Sequence, residues 1–180
     1  MPTEEGLIGE VERSWLTAID IEFHDIHTID EYTTIEQAHY LIGKASVILL
    51  TGGDTRWQWQ LVERLQLRQI LLQSEAVIIG ASAGAINMSA TWICSPTFGY
   101  DVTGTTVYKG LGLSPFAMLS HFDLENRFTQ VAQALTALAQ QYQVYVSNKN
   151  CAIRVEKERH DYFGIIYEMT QQGLVLRNNT

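Results

Sequence analysis

Ala76-Val77-Ile78-Ile79-Gly80-Ala81-Ser82-Ala83-Gly84-Ala85 is the stretch on which the fold turns. A short apolar run ending in glycine reads as a buried strand, and the small residues after it read as a sharp turn into a helix, expected over Ile86–Trp92. Upstream, Ser46-Val47-Ile48-Leu49-Leu50-Thr51 has the same character and stops at Gly52-Gly53. Continuous apolar runs of this kind belong to parallel sheets covered on both faces. Between the two, Trp57 to Leu72 reads as helix with a break near Leu67. Strand, helix and strand in this order predict right-handed crossover units on a mainly parallel sheet. Ligand chemistry should then gather at the carboxyl ends of the strands, here marked by Gly52-Gly53 and Gly80.

Working outward, Leu7, Ile8, Val11 and Trp15 fall at helical spacing within Glu4–Leu16. Ile19, Ile21 and Phe23 then alternate with Asp20 and Glu22, as a half-buried strand does. Thr33 followed by Glu36 has the form of a capping box before a short helix that Gly43 can close in a left-handed conformation. Downstream, Thr91 to Gly112 reads as loop with short strands, and Arg127–Gln141 as an amphipathic helix carrying Phe128, Val131, Leu135 and Leu138. Val144–Ser147, Cys151–Val155, Tyr162–Tyr167 and Leu174–Leu176 are β-prone runs separated by turn residues, which predicts antiparallel hairpins at the end of the chain. The whole, 1–180, reads as one α/β domain without repeats or linkers.

Composition narrows the function. The 180 residues hold 12 Lys+Arg against 20 Asp+Glu, a formal charge of −8. Nucleic acid and anionic membrane are excluded as expected partners, because both need clustered cations. No apolar run reaches the roughly 18 residues of a membrane span. The opening Met1-Pro2-Thr3-Glu4-Glu5 is acidic where an export signal is basic, so a cytoplasmic location is expected. Cys94 and Cys151 are too few for a disulfide framework and lack zinc-site spacing, so both read as reduced thiols. A chain of this length buries enough surface to fold without a metal or cofactor, and none is expected.

Gly80-Ala81-Ser82-Ala83-Gly84 has the form of a nucleophile elbow, in which small neighbours let a strained serine project from the turn. Two other readings compete: small residues that let a helix pack closely on a sheet, and glycines that cradle a phosphate. A serine nucleophile needs a base, most often histidine. His24 and His27 sit in the early strand pattern as a weak metal motif or a solvated edge. His39 falls in a helix and His160 in a charged turn. His121 stands apart, between Leu111-Gly112-Leu113-Ser114-Pro115-Phe116 and Phe122-Asp123.

Gly52-Gly53-Asp54-Thr55, then Gly80 to Ala85, then Gly110-Leu111-Gly112-Leu113 through His121-Phe122-Asp123 occur in one order. Together they resemble the serine peptidases of the aspartyl dipeptidase (peptidase E) and cyanophycinase family, over nearly the whole chain. The resemblance implies a class I glutamine amidotransferase-like fold, a three-layer sandwich with antiparallel C-terminal hairpins. It implies a Ser-His-acid arrangement with Ser82 as nucleophile and His121 as general base, and the backbone amides of Gly53 and Ala83 as oxyanion donors. Asp101, the only acidic residue from Ala83 to Ser120, becomes the expected orienter of His121, with Asp123 and Glu125 as alternatives. Arg127 becomes the expected partner of a substrate carboxylate, since guanidinium pairs bidentately and stays charged. An exposed residue near a helix start is the other reading of Arg127.

Two departures from the family pattern carry expectations. Relatives begin with an additional strand before the position of Met1. Either the strand is lacking or the chain is shortened; its loss would leave a sheet edge and apolar surface that a partner subunit covers, a homo-oligomer being one expectation, or that weakens the active fold, the other. Arg56-Trp57-Gln58-Trp59 stands where relatives carry smaller or aliphatic residues; Trp57 reads as packing or as a pocket wall. The function expected is hydrolysis of small peptides, dipeptides with N-terminal Asp foremost. The rivals are an inactive relative that binds or assembles, and an amidase or acyl transferase acting on non-peptides.

Overall fold

The computed structural model describes residues 10–122, 135–147 and 150–177. Among them the chain alternates helix and strand in its first half: α1 (Glu10–Thr17), α2 (Ile35–Lys44), β1 (Val47–Leu50), α3 (Thr55–Arg64), α4 (Leu67–Gln73), β2 (Val77–Gly80) and α5 (Ala83–Met88). It then turns to strands: β3 (Thr91–Cys94), β4 (Thr106–Lys109), β5 (Ala117–Ser120), β6 (Val144–Ser147), β7 (Cys151–Glu156), β8 (Arg159–Gly164), β9 (Ile166–Thr170) and β10 (Gly173–Arg177). β1 and β2 pair in parallel, as do β5 and β6, whereas β6·β9, β9·β10, β3·β4 and β7·β8 are antiparallel.

Alternation sorts β5 and β6 between two cores. Ala117, Leu119, Val144 and Val146 face one cluster with Leu135 and Met169. Phe116, Met118 and Tyr145 face another with Ile166. A strand covered on both faces has no polar side, hence the apolar runs. β2 departs from this expectation. Ile78 packs on the largest cluster, around Trp59, Leu65, Leu71 and Trp92, but Val77 and Ile79 are 63% and 40% exposed.

Several local expectations shift. Ile19–Phe23 is not a strand, and Ile19 and Ile21 are exposed. Alternating residues form a strand only where a neighbour supplies ladder partners, and the described residues supply none there. The capping box is one residue later than expected, with Thr34 and Gln37 exchanging the two bonds, because Thr33 is engaged with Asp30. Gly43 lies inside α2, which closes at Ala45 in extended conformation. The break expected near Leu67 is a left-handed Gln66, φ +53°, that separates α3 from α4. α5 begins earlier and ends sooner than Ile86–Trp92, since Trp92 belongs to β3 and stacks across the hairpin on Tyr108, ring centroids 4.3 Å apart. Gly164, φ +78°, divides the Tyr162–Tyr167 run between β8 and β9. Of the Arg127–Gln141 helix, only 135–139 are helical within the described residues.

Candidate active site

The elbow is built from backbone outward. Ala81 N–H donates to the Leu50 carbonyl at 2.9 Å, continuing the β1–β2 pairing, and Gly84 N–H donates to Thr51 O at 3.2 Å, so α5 starts against the end of β1. Ser82, between them, has φ +50° and ψ −106°, a conformation that favours glycine. The glycines two residues to either side cannot carry side chains. A Cβ on Gly80 would lie 2.7 Å from Ala85 N, and one on Gly84 would overlap the Leu50 carbonyl oxygen.

His121 arrives through the far end of the same helix. A helix leaves its last carbonyls without internal donors. Those of Asn87, Met88 and Ser89 are met by the N–H groups of Leu111, Leu113 and Ser114, and Gly112 respectively, at 2.9–3.1 Å. Gly110 makes the approach feasible, because a Cβ there would overlap Ser89 O. Ser89 Oγ also accepts from Met118 N–H in β5 at 3.2 Å. Thus β5 is fastened to α5, and His121, the residue after β5, is carried to Ser82. Phe122 N–H donates to Ser147 O at 3.1 Å, fixing the chain beyond it. His121 has φ +59°, which turns the backbone at the strand end. Ser82 Oγ and His121 Nε2 are 2.9 Å apart, within hydrogen-bond range.

The Gly52-Gly53 turn lies beside this pair. A Cβ on Gly52 would stand 3.6 Å from Ser82 Cβ. Neither Gly53 N–H nor Ala83 N–H donates to another backbone group among the described residues. Asp54 caps α3 from the turn, its Oδ1 accepting from Arg56 N at 2.8 Å and Trp57 N at 3.0 Å. Asp54→Ala should cost about 1 kcal/mol of stability, the usual worth of such a cap. Urea unfolding would measure it, and an unchanged midpoint would show the cap to be idle.

Other expected residues are placed differently. Asp101 is not joined to His121; no hydrogen bond links them among the described residues. Its loop is tied instead to α3: Arg56 Nη1 donates to Asp101 O at 3.4 Å and Tyr100 O–H to Thr55 Oγ1 at 3.3 Å. Burial of Tyr100 pushes its phenol above the ordinary range. Asp123, Glu125 and Arg127 lie outside the described residues. Trp57 is 68% exposed, which overturns the packing reading. His39 bonds the Leu65 carbonyl at 3.0 Å, joining α2 to the end of α3, and His160 meets the Phe116 ring edge-on. His24 and His27 belong to no metal-binding group among the described residues. Nor does any helix among those residues have the length and apolarity to cross a membrane. Asn87 and Ser89 escaped the sequence reading; a polar pair after G-A-I on an otherwise apolar short helix is the signal that marks them.

The Peptidase family S51 model matches residues 3–163. No curated protein matches the chain. Among solved structures, the 1.5 Å crystal structure of a Listeria monocytogenes EGD-e protein, provisionally assigned as a peptidase E, superposes with a TM-score of 0.60 at 19% identity. The alignment covers 86% of this chain and 76% of that one, and it establishes a shared fold, the α/β sandwich read from the sequence. With the family model spanning most of its length, the chain belongs to peptidase family S51.

Proposed function

We propose that the protein is a serine hydrolase that cleaves small peptides, dipeptides with an N-terminal acidic residue foremost, through an acyl-enzyme on Ser82. The observation that carries this reading is the 2.9 Å approach of Ser82 Oγ to His121 Nε2, made by residues 39 positions apart. With Nδ1 protonated, Nε2 accepts the Ser82 proton as Oγ attacks the scissile carbonyl, whose π electron pair moves to oxygen. The amides of Gly53 and Ala83 receive that oxyanion. Collapse breaks the C–N bond, and the departing amine takes the proton from Nε2. Water then attacks the ester, gives its proton to Nε2 and releases the acid, restoring Ser82 with that proton.

Asp101 is the acid assigned to His121 Nδ1, and its loop must approach the ring when substrate binds, a tightening that free enzymes commonly show. Arg127 is assigned the substrate carboxylate. Turnover of Asp-Leu against Ala-Leu by the purified chain tests the reading. The expected result is a kcat/KM at least about tenfold higher for the acidic dipeptide, the gain of roughly one charge-assisted bond. Equal rates discard carboxylate recognition and favour an amidase or transferase of broader reach. Absence of any hydrolysis removes the peptidase itself and leaves a binding or assembly protein.

A further inference from the structure

Behind the elbow runs a chain of side-chain amides that the proposed chemistry does not use. Asn87, fully buried on α5, donates both Nδ2 hydrogens, to Thr55 O at 3.1 Å and to Gln58 Oε1 at 2.9 Å. Gln58, on α3, donates its own Nε2 to Thr51 O at 2.8 Å. Thr51 O also accepts from Gly84 N–H. The two backbone carbonyls can only accept, so each amide group has one possible orientation along the chain. Thr51 is thereby gripped from α3 and from α5 immediately before Gly52-Gly53.

The burial of Asn87 is costly. Its Oδ1 has no partner, and a buried polar atom without one costs about 1–3 kcal/mol. The other residues that α5 buries are Ala83, Gly84 and Ile86, so an apolar side chain would suit packing alone. What Asn87 supplies is a pair of donors, and both go to α3, the helix that starts at the glycine turn.

Resting on the proposed acyl-enzyme reading, we infer that Gln58 and Asn87 are positioning residues that hold the Gly53 amide in register with Ser82. They act through Thr51 and touch no reacting atom. A turn of two glycines has the greatest freedom of any dipeptide, and an oxyanion donor works only if already in place. The amide chain removes that freedom.

Two variants separate the strut from packing. Gln58→Leu removes both bonds; Gln58→Glu keeps the acceptor for Asn87 but has no donor for Thr51 O. Backbone 15N order parameters of the full chain report the turn directly. In both variants Gly52 and Gly53 should fall from about 0.85 to below about 0.6, while β1 and β2 keep wild-type values. With Asp-Leu, kcat should drop about 10–100-fold with KM within about twofold, as for a reacting group displaced by up to 1 Å. Wild-type order parameters at both glycines in both variants would overturn the strut, and so would wild-type kcat in an enzyme that turns over dipeptide. If the wild type hydrolyses nothing, the peptidase reading falls by itself, and the order parameters still decide whether Gln58 holds the turn.

Discussion

Ser82→Ala should lower hydrolysis of Asp-Leu by at least about 10^4-fold while leaving the chain folded, because it removes the hydroxyl proposed to form the acyl-enzyme. The size follows from the division of labour in such sites: binding and oxyanion donors retain only a residual rate once the nucleophile is gone. KM should change little, since the hydroxyl forms its bond to carbon in the transition state. The variant also controls for backbone strain, as alanine at φ +50° is no more comfortable than serine. Ser82→Gly, by contrast, should lose the same activity and gain about 1 kcal/mol of stability, because only glycine adopts this conformation freely. Release of leucine from the dipeptide, followed alongside thermal unfolding, checks both. Hydrolysis that survives Ser82→Ala in a folded chain would sink the nucleophile assignment.

Gly84→Ala should produce a large loss of stability. The new Cβ would occupy the space of the Leu50 carbonyl oxygen, which is backbone and cannot rotate away. Relief requires α5 to lift from β1, and overpacking of this kind costs about 3 kcal/mol or more. In a chain of 180 residues that is a fall in Tm of roughly 6–12 °C. Gly104→Ala is the matched control, since nothing lies within 4 Å of a Cβ there. The same Tm for both variants would mean that helix and strand are not in the contact described.

What was legible in the sequence were the features set by local chemistry. The apolar runs at Val47–Leu50 and Val77–Gly80 are strands because nothing polar interrupts them, and the small residues around Ser82 mark a turn tight enough to hold it in a strained conformation. The α3–α4 break was visible as a lapse in periodicity near Leu67. Less legible was whatever depends on a distant neighbour. Ile19–Phe23 alternates well but finds no strand to pair with among the described residues, and Val77 and Ile79 look like core yet face outward. Thr33 and Thr34 are adjacent and alike; the cap passes to Thr34 because Asp30 engages Thr33, a turn that a motif scan does not weigh. In the site, Ser82 and His121 could be named from the order of motifs. The means of bringing them together could not, because main-chain carbonyls at the end of α5 leave no trace in side-chain identity. Gly110 was the single visible sign of that contact.

The β3–β4 hairpin leaves α5 and returns to it, and its two ends touch where Gly110 N–H donates to Ala90 O at 2.9 Å. Everything between is therefore a closed excursion, insulated from the spacing of serine and histidine. Its distal segment, Ser95 to Thr105, is held to α3 through Tyr100 and the Asp101 carbonyl and, among the described residues, not to the Ser82–His121 pair. Asp101, the acid proposed for His121, sits on that arm, so a change in the arm reaches Asp101 and α3 before it reaches Ser82 or His121.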